Sequence, residues 1–233
     1  MSIRAVETPE LVDPRAVVDQ LRGRIQALQG GPTRLSVPTL PVFDGLVQLR
    51  TGGVYGVDSA SLGMALAAGA SQAGEWVGFA GWDDFGVEAA HQWGIDLSRT
   101  VLVPSPGEHW LEVTAALVDV LKVVVLRPPG QVDAKSASII DARLRARSGV
   151  LVVQGDWPRC EVRLAAERSA WLGIGAGRGR LRERRVELVA RGGGRMPTRS
   201  EVALAGGAAQ GHASPSLAAP APPITHAGRV ADA

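Results

Sequence analysis

The sequence predicts an α/β fold: a mostly parallel central sheet flanked by helices, with an antiparallel extension at its C-terminal edge. Three observations predict it. Short apolar runs alternate with stretches of helical spacing between residues 47 and 153. Two of those runs, Val123–Leu126 and Val150–Val153, are apolar throughout, as in strands covered on both faces. Beyond residue 160 the pattern shifts to partial alternation in Glu161–Trp171 and Arg184–Ala190, the period of antiparallel strands. With 233 residues, 45% of them hydrophobic, the chain has material for one sizeable core.

Each element has a local reason. Asp13 and Pro14 start a helix that Gly30 and Gly31 end. Its apolar stripe is Val17, Leu21, Ile25 and Leu28, which packs on its own domain or on a neighbouring molecule as an oligomer interface. A Pro-containing linker, Pro32–Pro41, follows, so residues 1–40 form a helix and linker ahead of a core over 41–204. Val47–Arg50 reads as a strand, Thr51–Asp58 as a Gly-rich turn, and Ser59–Ala73 as a helix. Trp76–Ala80 is a strand, and Asp84 caps a helix that runs to Trp93 and closes at Gly94. Thr100–Val103 is a strand. Ser105-Pro106-Gly107-Glu108 reads as a capping box opening a helix to Leu121, with Leu111, Leu117 and Val118 inward. Asp133 starts a helix ending near Ser148. The antiparallel strands are joined by the Gly/Arg segment Gly173–Gly179, and Val202–Leu204 adds a last short strand. Residues 205–233, rich in Ala, Gly, Pro and Ser, are expected to be a disordered tail.

Composition excludes several classes. There is no apolar run long enough for a membrane span, and Met1–Glu10 lacks the apolar segment of a secretory signal. One cysteine, Cys160, fits a reducing cytoplasm, and is expected to be a buried strand residue. The four histidines lack metal-ligand spacing, so neither a metal nor a cofactor is expected, and His91 and His109 have no nucleophile at fixed spacing. Trp82, Trp93, Trp110 and Trp171 are expected in core or interface packing. The formal net charge of +2 hides an asymmetry: residues 142–200 hold fourteen arginines and five acidic side chains. That segment is either a surface for nucleic acid or an acidic partner, through Arg180, Arg182, Arg184, Arg185 and Arg191, or a set of solvated strand faces.

The order strand, Gly-rich turn, helix is that of a phosphate-binding loop, with Gly52, Gly53 and Gly56 in the turn. Its charges are wrong. Asp58 stands near where the loop's lysine belongs, leaving only Ser59 as a hydroxyl for a metal. The run Val123–Leu126 ends in Arg127 rather than in an acid that could orient Mg²⁺. A degenerate nucleotide loop and no catalysis are expected.

With those residues placed, residues 40–204 resemble the RecA recombinase core. The stretch Gly94-Ile95-Asp96-Leu97 through Pro104-Ser105-Pro106-Gly107-Glu108 is similar to a RecA segment, and Asp83 or Asp84 lies near that family's catalytic glutamate. Val162-Arg163-Leu164 and Arg185–Val189 resemble later RecA strands. The two DNA loops of that family are cut here to Arg127–Val132 and Gly155–Arg159, and only Arg191 stands near its intersubunit cations. The turn Val54-Tyr55-Gly56-Val57, the run Asp96–Val113 and Val123–Gly130 resemble the ImuA group, in particular its actinobacterial branch, ImuA-prime.

This resemblance implies a non-catalytic RecA-like accessory protein of DNA-damage-induced, error-prone translesion synthesis. Its implied partners are an ImuB-type inactive Y-family polymerase homologue, met through residues 196–233, and an error-prone replicative-type polymerase. RecA, DNA in weak contact and a second copy are further expected partners, and the expected location is cytoplasmic, at the nucleoid when induced. The alternative is a nucleotide- or DNA-binding protein that works through a modified loop (Ser59 on metal, Arg127 on phosphate) or through the Arg-rich strands.

Overall fold

The computed structural model describes residues 34–175, 178–192 and 194–205. Strands β1 (Ser36–Val37) and β2 (Leu49–Arg50) form a small antiparallel ribbon. The main sheet is built from β3 (Val54–Val57), β4 (Val77–Ala80), β5 (Thr100–Val103), β6 (Val123–Leu126), β7 (Val150–Gln154), β8 (Val162–Gly175), β9 (Arg178–Gly192) and β10 (Arg195–Ala205). Its helices are α1 (Ala60–Gln72), α2 (Val87–Gln92), α3 (Trp110–Val120) and α4 (Ala134–Arg147). The strand order is β10-β9-β8-β3-β7-β6-β4-β5. Pairings from β8 to β5 are parallel, and β9 and β10 are antiparallel additions.

Alternation along each strand divides the core. Val123, Val125, Val150 and Val152 pack on one face with Leu66 and Ala70 of α1. Val124, Leu126, Leu151 and Val153 pack on the other with Val118 of α3 and Ile140 and Leu144 of α4. Both faces are covered, which is why these runs are uninterruptedly apolar. Asp133 caps α4 by accepting hydrogen bonds from the backbone N–H groups of Lys135 and Ser136, both at 2.9 Å. Among the described residues, no helix is long and apolar enough to cross a membrane.

Several expectations are corrected. The central strand is β3, which lies inside the expected Gly-rich turn, while Val47–Arg50 contributes only β2 to the small ribbon. Part of the expected linker forms β1. Asp84 does not cap α2; Gly86 occupies that position, and Asp84 is held by Arg127. The Ser105 capping box is absent, because Pro106 starts a 3₁₀ turn, Gly107–His109, ahead of α3 with no side-chain cap. Leu111 is only half-buried. Cys160 is a half-buried loop residue before β8, and burial pushes its thiol up. The expected Gly173–Gly179 connection is mostly strand, since β8 runs to Gly175 and β9 restarts at Arg178. Trp82 is buried, but Trp171 is 56% exposed. The helix with Val17, Leu21, Ile25 and Leu28, and the tail beyond Ala205, lie outside the described residues.

The N-terminal end of β3 is fixed by a polar cluster. Tyr55 Oη accepts the Arg50 N–H at 2.7 Å and lies 3.2 Å from Glu161, which also pairs with Arg34. Burial, followed by the Glu161 charge, pushes the Tyr55 phenol up to about 12. The unfolded chain therefore releases this proton first, near its ordinary value of 10.0, and stability is lost as pH rises from there to about 12. Tyr55→Phe should flatten the alkaline limb of a stability–pH curve. An unchanged limb would show that another group titrates there.

Candidate functional site

In sheets of this kind ligands are met beyond the carboxyl ends of the parallel strands. Here that edge gathers Asp58 and Ser59 after β3, Gly81–Asp84 after β4, Arg127 after β6, and Gln154 and Gly155 at the end of β7. The connection from β3 to α1 is only Asp58 and Ser59. A phosphate cradle needs several successive backbone N–H groups turned toward one point, and two residues do not supply them.

The six residues of the expected nucleotide loop are not brought together. Gly52 and Gly53 precede β3 and sit at the opposite end of the sheet, where the Gly52 N–H donates to the Gly149 carbonyl at 2.7 Å. Gly53 is small because a Cβ there would stand 2.8 Å from Arg34 Nη2 and 2.9 Å from the Arg50 carbonyl oxygen. Gly56 is inside β3, where its missing side chain admits the Arg163 guanidinium, 3.0 Å from where a Cβ would be. Their glycine pattern thus records close packing of arginines against β3. Only Asp58, Ser59 and Arg127 stand at the carboxyl edge.

Each of those three has a local arrangement. Asp58 is exposed, and its carboxylate accepts the Ala166 backbone N–H of β8 at 2.8 Å. It ties the β3–α1 connection to the ribbon just before the β8 bulge between Ala166 and Arg168. Ser59 is the N-terminal cap residue of α1 without a side-chain cap bond. Arg127 is the centre of the edge. Its Nη1 donates to Asp84 at 2.7 Å, its Nε donates to Gln154 at 3.1 Å, and its guanidinium lies 4.8 Å from the Trp82 ring centroid. Asp83 is a weaker neighbour at 3.8 Å. The Arg127 hydrogen bond holds the Asp84 carboxyl below the usual carboxylate range. This guanidinium bridges three strand ends, β4, β6 and β7, where a metal and a triphosphate would need an acid and a free cation.

Trp82 and Gln154 were not among the expected site residues. The signal for Gln154 was present: a polar residue closing an otherwise apolar buried run. No such signal marked Trp82, since nothing local shows that its ring lies under a residue 45 positions on. Beside the edge, a shallow apolar groove is lined by Val42, Phe43, Leu62, Trp93, Val186 and Val202.

The expected arginine surface is largely paired where its side chains are described. Arg191 is bound to Glu167, and Arg199 approaches both Glu167 at 3.5 Å and Glu187 at 3.6 Å. Burial of Glu167 works against its ionisation, but hydrogen bonds and charge from Arg191 and Arg199 win, and its carboxyl stays low. Arg185 lies 4.0 Å from Glu201. Arg191 and Arg185 thus belong to a cross-strand ladder, set by the register of β8, β9 and β10. Arg184 donates through Nε to Ser169 at 3.0 Å and stacks 5.8 Å from the Trp171 centroid. Arg180 and Arg182 lie on β9, with side chains outside the described set. Among the described residues no group of three or more His, Cys, Asp or Glu side chains could hold a metal ion.

A family model described as the MT3502 N-terminal domain matches residues 42–159, half of the chain. The chain belongs to the MT3502 N-terminal domain family. That match takes in β2 through β7 and so the whole Arg127 edge, and it stops before the β8–β10 ribbon. A relative from Mycobacterium tuberculosis, uncharacterized protein Rv3395c, is 37% identical over 144 residues, covering 60% of this chain and 69% of the relative.

Proposed function

We propose that this chain is a non-catalytic, RecA-like accessory protein of an error-prone translesion synthesis complex, acting by contact with an ImuB-type partner. The observation that carries the non-catalytic part is the Arg127 bridge to Asp84, Gln154 and Trp82 above a β3–α1 connection of two residues. Placing a triphosphate there would require Arg127 to leave two hydrogen bonds and a ring, with no loop N–H groups to replace them. The same edge disfavours the modified-loop enzyme, because Arg127 already has its partners. The translesion role rests on the ImuA-like motifs, Val54–Val57 and Val123–Gly130 among them. A RecA-like reading of the fold is supported by β3 lying between β7 and β8 in a six-stranded parallel run.

The test has two arms. Calorimetric titration with millimolar Mg-ATP should give no binding heat, and a purified ImuB-type partner should be retained on the immobilised chain. ATP binding with turnover, together with no retention of that partner, overturns the proposal.

A further inference from the structure

The main sheet ends on β10, and among the described residues no strand pairs with its outer edge. An open edge presents a row of backbone N–H and C=O groups, a template for one more strand. The charges on β10 select which strand that is. Arg199 and Glu201 lie two residues apart, so they share a face, and their side chains are 54% and 69% exposed. Within the chain Arg199 is divided between Glu167 at 3.5 Å and Glu187 at 3.6 Å. Glu201 is less well compensated. The register sets it directly opposite Glu187, a like charge, and the Arg185 guanidinium stands 4.0 Å away.

Antiparallel pairing of β10 with a second β10 is symmetric about one residue. With the two-fold axis through Ser200, Arg199 of each copy faces Glu201 of the other, and Thr198 faces Val202. Pro197 then faces Ala203, and its missing N–H closes the seam at that end. An axis normal to the sheet keeps the same face on both copies, so both ion pairs form on one side. The neighbouring two-fold registers, centred on Arg199 or on Glu201, would set like charges on each other, so the charges admit one register. Charges that only kept other edges away would repel their own copy, whereas these attract it. We propose that the outer edge of β10 is a contact for a second copy of this chain, closing a two-fold dimer through a continuous antiparallel sheet. The proposal does not rest on the accessory role, since β10 lies outside both the Arg127 edge and the matched family region.

Analytical ultracentrifugation of the full chain tests it. The wild-type chain should show a monomer–dimer equilibrium that moves to dimer as concentration rises. Arg199→Glu and Glu201→Arg each set like charges together at both symmetric positions, and each should weaken the dimer about tenfold. Mixed in equal amounts, with one of them fluorescently labelled, the two variants bring opposite charges together again at both positions. The mixture should regain most of the wild-type affinity. Mixing leaves the fold of each variant as it was, so this recovery separates a contact between copies from damage within one copy. Leu102→Lys, on β5 at the other end of the sheet, should leave the equilibrium within about twofold. Unchanged circular dichroism confirms folding. The proposal is overturned by a wild-type chain that stays monomeric at every concentration, whatever else covers the edge. It is overturned as well by single variants that dimerise like the wild type, by a mixture no better than its components, or by equal loss in Leu102→Lys.

Discussion

Trp82→Ala should lower stability by about 3–5 kcal/mol, the cost of emptying a buried aromatic site. Trp82 is 1% exposed, meets Phe79 edge-on at 5.5 Å, and lies against Gly63, where a Cβ would sit 3.2 Å from the indole. It also supports the Arg127 guanidinium at 4.8 Å. The truncation therefore acts twice, opening a cavity and removing the floor under the bridge of the carboxyl edge. Trp82→Phe separates the two effects. It retains most of the packing and removes an indole N–H that is buried without a partner, so it should cost less, about 1–2 kcal/mol. Urea denaturation measures both. A loss under 1 kcal/mol for the alanine variant would show that this edge does not depend on the ring.

Gly81→Ala should cost about 2–5 kcal/mol, and for a different reason. Gly81 has φ of 77°, and an L-residue in that region costs about 1–2 kcal/mol by itself. The added Cβ would also fall against the Arg127 carbonyl oxygen, well inside van der Waals distance. Neither atom can yield easily, because the Arg127 N–H is bonded to the Ala80 carbonyl at 2.9 Å, at the end of the β4–β6 ladder. The strain should appear as lost stability and as a rise in the Asp84 pKa, followed by carboxyl NMR, as Arg127 moves away. If Gly81→Ala unfolds at the wild-type urea midpoint with Asp84 unmoved, the close approach of β4 and β6 at this point is wrong.

The contrast between Val123–Leu126 and Val54–Val57 shows how far the sequence could be read. The first is an unbroken apolar run, and its burial on both faces was legible from residue type alone. The second contains Tyr55 and Gly56 and follows two more glycines, so it looked like a turn. Its glycines answer to Arg34 and Arg163, which approach the strand from distant parts of the chain, and a local pattern cannot announce a distant neighbour. The same limit applies to Asp84. Its placement before a helix suggested a cap, but the helix starts only at Val87 with Gly86 at the cap position, and Asp84 pairs instead with Arg127, 43 residues on. In the arginine-rich segment the cations were plain to see. Which of them meet carboxylates was not, because that depends on the register between β8, β9 and β10 and on the bulge after Ala166.

From sequence alone, the chain fixed its alternation of strands and helices, its two-faced core, the cap at Asp133, and the mismatch between its carboxyl-edge charges and phosphate chemistry. Those properties reside in residue type and short-range spacing, which act through local propensity and burial. The tertiary structure decided which strand is central, that Arg127 is held by Asp84, Gln154 and Trp82, and that Arg168, Arg191 and Arg199 meet Glu167 and Glu187 across strands. Those are properties of pairs far apart in the chain, settled by strand order and register, and neither is contained in any window of sequence.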